Sequence, residues 1–158
     1  MAPKLCNWRT AMNTEIPGAY GATVTRIALG VVLIAHSAYL KLVVFGLPGT
    51  AQYFAAIGLP GALAYLVFGI ETVAGVALII GWHSRAAALA VVPVLVGATW
   101  VHWSTGWLFT NSGGGWEYPA LLSLLAVAQV FLGDGAFAFA NRRKMIYGGR
   151  NEGADTAT

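Results

Sequence analysis

The chain has 158 residues, of which 58% are hydrophobic and only 9% charged, with a net charge of +3. A water-exposed domain carries roughly 25% charged residues, so a soluble enzyme, a disordered chain and a nucleic-acid binder are all excluded as readings. Mean hydropathy is +0.68, and the composition is that of a polytopic membrane protein.

Residues 1–21 read as a polar tail, with Pro3, Lys4, Arg9, Asn13 and Glu15 and no cleavable signal pattern. The single cysteine, Cys6, allows no internal disulfide, no dithiol relay and no Cys-ligated iron–sulfur cluster. Four segments are long and apolar enough to cross a bilayer, at residues 22–45, 60–82, 85–104 and 117–140. The expected fold is therefore an all-α membrane protein, a bundle of four transmembrane helices. Pro60 and Pro119 fall in first turns, where a missing N–H costs little. Pro93 falls inside the third span, where a bundle tolerates a kink.

Between the first two spans, Thr50–Ile57 reads as a short interfacial helix with Tyr53 and Phe54 towards lipid. The loop 105–116 ends in the Gly113-Gly114-Gly115 run and a cluster of tryptophans. Residues 141–158 form a basic, then flexible, tail. Seven of the nine basic residues lie in the two tails and at Arg85, and none lies in the 46–59 or 105–116 loops. The positive-inside rule then places both termini in the cytoplasm.

Ionisable side chains inside spans are expensive, roughly 2.5–3.5 kcal/mol each, so they mark pairs or sites. Glu71 lies midway along the second span, beyond reach of either interface. His36 and His102 lie at about 21 and 25 Å from the cytoplasmic end at about 1.5 Å per residue. Lys41 and Glu117 fall just above them. His36, Lys41, Glu71, His102 and Glu117 are thus expected to line one outward-facing polar pocket. Arg26 and Asp134 share a depth in the inner half and are expected to form a structural ion pair. Two histidines without a patterned third ligand read as hydrogen-bonding residues, so neither metal nor haem is expected.

These residues carry a resemblance. Arg26 with Leu29-Gly30, Ala35-His36-Ser37, Lys41-Leu42, Ala56 through Pro60, Glu71 with Gly75, Leu78 through Gly81 with Arg85, His102 with Gly106, Gly115 through Pro119, and Gly133 with Gly135 occur in an order that resembles the DoxX-like family of small four-helix membrane proteins. The likeness spans residues 22–140. Ser37 stands where members often have Gly, Asp134 where they often have Pro, and Ala138 or Ala140 where an acidic residue is common. The resemblance implies a multi-pass protein of the bacterial inner membrane, similar to membrane subunits of redox complexes. It also implies a partner redox protein and chemistry on a quinone.

Three functions follow from this reading. The first is a membrane subunit of a quinone-linked redox complex, in which the pocket residues bind the ring oxygens and move protons. It holds no electron carrier of its own, so it would be part of an oxidoreductase rather than a self-sufficient enzyme. The second is a non-catalytic assembly or anchoring subunit. The third is a small-molecule or proton carrier with Glu71 as its switch. The charge distribution makes the first testable expectation: a reporter fused after Thr158 should be active only in its cytoplasm-reporting form, and activity of an exported-side reporter there would overturn the orientation.

Overall fold

A computed structural model describes residues 8–140. Among the described residues the regular structure is helical throughout. Helix α1 runs Trp8–Ile34 and passes without a break into a π-helical segment, Ala35–Val44. Helices α2 (Leu47–Ala56), α3 (Ala62–Ile80), α4 (Ser84–Val101) and α5 (Glu117–Leu132) follow, with one 3₁₀ turn at Trp103–Thr105. Three helical stretches are long and apolar enough to cross a membrane: Gly18–Val44, Ala62–Ile80 and Ser84–Thr105.

Three boundaries differ from the sequence expectation. The first helix starts at Trp8 and includes most of the expected tail. Hydropathy marks where a helix meets lipid, whereas its backbone hydrogen bonds continue into the polar region beyond. The last helix ends at Leu132 instead of reaching residue 140. Its 16 residues span about 24 Å at about 1.5 Å each, short of a hydrocarbon core of about 30 Å. Gly133 (φ 77°), Gly135 (φ 68°) and Phe137 (φ 55°) are left-handed and turn the chain back. The amide of Ala136 donates to Ala19 O at 3.0 Å, and Thr23 Oγ1 donates to Ala136 O at 2.6 Å. A Cβ on Gly135 would lie 2.8 Å from Ala19 O and from the Thr23 amide, so only glycine fits against α1 there. The third difference is the π segment, in which the Phe45 amide donates to Leu40 O, five residues back. The expected basic tail at residues 141–158 lies outside the described residues, as do residues 1–7.

The helices close a ring in which α1 packs on α3, α3 on α4, α4 on α5 and α5 on α1. Leu29, Leu33, Leu78, Val91 and Leu95 meet on the axis, with Ala88 and Ala126 letting the helices approach. The outer surface is as apolar as the centre: Val24, Val31, Val73, Leu89, Leu124 and Phe131 are all exposed. Water would leave such a surface unstable, whereas lipid covers it at no cost. The chain is thus built as a multi-pass membrane protein.

The α1–α3 crossing depends on two glycines. A Cβ on Gly30 would sit 2.8 Å from both Gly75 O and Ile79 Cγ1, and one on Gly75 would press on Ile34 and on Gly30 O. Close backbone approach replaces the hydrophobic driving force that lipid removes. Gly30→Ala should therefore lower the thermal midpoint in detergent, with overpacking costing about 1–3 kcal/mol. Gly97→Ala, where a Cβ meets nothing within 4 Å, should be neutral or mildly stabilising. Equal midpoints for the two variants would remove this account of the crossing.

Candidate functional site

The half of the bundle that holds the π segment encloses a cavity of about 1050 Å³ between that segment, α2, α3, α4 and the start of α5. Its wall is mostly hydrocarbon. Val32, Leu33, Ile70 and Leu122 form part of it, and the rings of Tyr53 and Phe54 from α2 form another part. The sequence pattern points those two rings at lipid. In the structure α2 packs on α3 and the π segment, so both reach the cavity, with Tyr53 half exposed at its rim.

Four ionisable residues interrupt this apolar wall: His36, Lys41, Glu71 and His102. Lys41 Nζ donates to Glu71 Oε2, and this is the one ion pair within 4 Å among the described residues. The two side chains are 17% and 7% exposed. A buried carboxylate at this depth would otherwise be stranded, so each charge offsets the other's desolvation. Lys41 lies in the π segment, which packs on α3.

The two histidines are held alike. His36 Nδ1 lies 3.0 Å from Val32 O and His102 Nδ1 lies 2.8 Å from Ala98 O, each a carbonyl four residues earlier. The His36 ring also stacks on Tyr118, with centroids 5.9 Å apart and planes at 26°. Tyr118 lies on the cavity wall and is missing from the set expected from sequence. A signal existed in its place one residue after Glu117, in the first turn of a helix aimed at the same depth.

Glu117, by contrast, is not on the cavity wall. Its Oε1 accepts the Phe109 amide at 2.9 Å, and its own amide donates to Trp107 O at 3.2 Å. It therefore ties down the 105–116 loop. Trp116 packs between Trp103 and Trp107, with centroids 4.7 and 4.4 Å away. The loop contributes Phe109, Gly114 and Gly115 to the cavity wall. A Cβ on Gly115 would overlap the Leu108 and Trp107 carbonyls, so the loop closes only over glycine.

Arg26 and Asp134 do not form the expected direct pair. Arg26, 1% exposed, donates from Nη1 to Leu78 O at 2.6 Å and Ile79 O at 2.8 Å, the end of α3. Asp134 Oδ1 accepts the Ser84 amide at 2.9 Å, the start of α4. Each charge meets the helix terminus of opposite partial charge, where unsatisfied backbone groups stand ready. Their mutual attraction acts over a longer distance. Together they clamp the α3–α4 turn, at the end of the bundle away from the cavity's loops.

The profile of the DoxX family matches residues 21–103, just over half of the chain and including His36, Lys41, Glu71 and His102. The chain belongs to the DoxX family. A DoxX relative in Bacillus subtilis (strain 168), named "Putative oxidoreductase CatD", is 33% identical over 79 residues. That alignment covers 49% of this chain and 56% of CatD, so the chain spans only about half the relative's length. No solved structure matches the chain.

The inner clamp yields a direct test. Asp134→Asn keeps an oxygen for the Ser84 amide, whereas Asp134→Ala leaves that helix start uncapped at a cost of about 0.5–2 kcal/mol. Thermal unfolding in detergent should show the larger loss for Ala. Equal losses would show that charge, and not the hydrogen bond, is what Asp134 supplies.

Proposed function

We propose that this DoxX protein is the membrane subunit of a quinone-linked redox complex in the bacterial inner membrane, and that its outer cavity binds the quinone ring. Both termini are placed in the cytoplasm, as the basic residues indicate. In this reading α5 makes the fourth crossing, and the segment 133–140 packs across its end against α1. The observation that carries the proposal is the placement of His36, Lys41, Glu71 and His102 on the wall of one large, otherwise apolar cavity. An apolar ring with polar oxygens fits that combination. A small hydrophilic substrate does not, because so little of the wall would replace its hydration. The rim carries exposed aromatic residues, Phe45, Trp100 and Phe109, so a lipid-soluble ligand can enter from the bilayer. The name of the relative CatD supports a redox setting.

In this mechanism the two imidazoles exchange hydrogen bonds with the ring oxygens, and the Lys41–Glu71 pair supplies a charge that responds when the ligand gains or loses a proton. A partner redox protein supplies the electron carrier.

Binding of a decyl-tailed benzoquinone to the purified chain in nanodiscs tests the reading. Wild type should bind it. Glu71→Gln, which strands the Lys41 ammonium, should weaken binding at least about tenfold, roughly 1.4 kcal/mol, while the protein still folds. The double variant Lys41→Gln/Glu71→Gln should recover part of the loss, because no lone charge remains. Absence of binding by well-folded wild type would leave the assembly-subunit reading ahead.

A further inference from the structure

We infer that the cavity is an acceptor site, built to hold a neutral ring that carries hydroxyl donors, and that it prefers such a diol over the dione of the same shape. The inference rests on the proposal that a ring ligand occupies this cavity, and it concerns which form of that ligand the protein favours.

The argument starts from the histidine tautomers. A backbone carbonyl has lone pairs and no proton. The Nδ1 atoms of His36 and His102 face Val32 O and Ala98 O at 3.0 and 2.8 Å, so both Nδ1 atoms carry the proton and donate. In a neutral imidazole the other nitrogen is then an acceptor. Among the described residues neither Nε2 has a hydrogen-bond partner, and both rings stand on the cavity wall. They reach it from α1's π continuation and from the end of α4, two elements that flank the cavity and do not pack on each other. The ligand thus meets one acceptor from each flank.

The remaining polar groups do not reverse this balance. Lys41 and Glu71 cancel each other's charge, which favours a neutral ligand; Lys41 uses one of its three N–H donors on Glu71 and keeps two, both on the α3 side of the cavity and away from the two imidazoles' nitrogens. Glu71 retains a second carboxylate oxygen, a further acceptor. Thr50 donates its hydroxyl proton to Gly46 O at 3.0 Å, leaving lone pairs only. The tyrosine hydroxyls can turn either way. The Trp100 indole N–H is a donor, but Trp100 is 68% exposed at the rim. At the two imidazoles a dione brings only acceptors, and each acceptor facing an acceptor strands lone pairs. A diol places one O–H on each Nε2. Stranded polar groups are what make such sites discriminate strongly between otherwise similar ligands.

Calorimetric titration of the full chain in detergent, under anaerobic conditions, with tetramethylhydroquinone and tetramethylbenzoquinone tests this. The hydroquinone should bind at least tenfold more tightly. His36→Phe and His102→Phe, which remove one acceptor each, should each cut hydroquinone affinity while leaving benzoquinone affinity within about twofold, and so shrink the preference. Should either variant fail to fold, the two ligands on wild type still decide. Equal affinities, or tighter binding of the benzoquinone, overturn the inference but leave the ligand site standing. Binding of neither compound removes the ring-ligand proposal and this inference with it.

Discussion

The cavity-bearing half of this protein is organised by one contact, the ion pair between Lys41 and Glu71. In a lipid-embedded bundle a lone carboxylate halfway along a helix is among the most unfavourable arrangements available. It persists here because an ammonium reaches it from the π segment that ends the first long helix. The π segment has a cost of its own in poorer hydrogen-bond geometry. The same segment carries His36, which stacks on Tyr118, and both His36 and Lys41 stand on the cavity wall.

The opposite half is built on a different principle. Arg26 and Asp134 are spent on helix ends, the carbonyls closing α3 and the amide opening α4. Between the two halves lies a closely packed layer of Leu29, Leu33, Leu78, Val91 and Leu95, all nearly or fully buried. The layer separates the cavity from the inner clamp with hydrocarbon.

The loops complete the division of labour. Glu117 and the tryptophans around it hold the 105–116 segment over the cavity, and α2 closes the opposite flank. Neither element crosses the bundle, yet both supply wall. A small number of helices thereby encloses a volume that four straight rods would not.

The sequence by itself determined that the chain is helical, apolar and membrane-embedded, because these follow from composition and from runs of apolar residues that need no partner to be read. It also singled out Glu71, His36, His102 and Lys41, since an ionisable residue within an apolar run is conspicuous without coordinates. The tertiary structure alone decided which of these meet. Depth along a helix ordered the candidates but left rotation about its axis open. Rotation put Glu117 on the loop and Tyr118 on the cavity. The Arg26–Asp134 pairing failed for a related reason. Equal depth brings two charges to one level, but which group each one meets depends on the helix termini that packing delivers to the same place, and those carbonyls and amides have no signature in side-chain sequence.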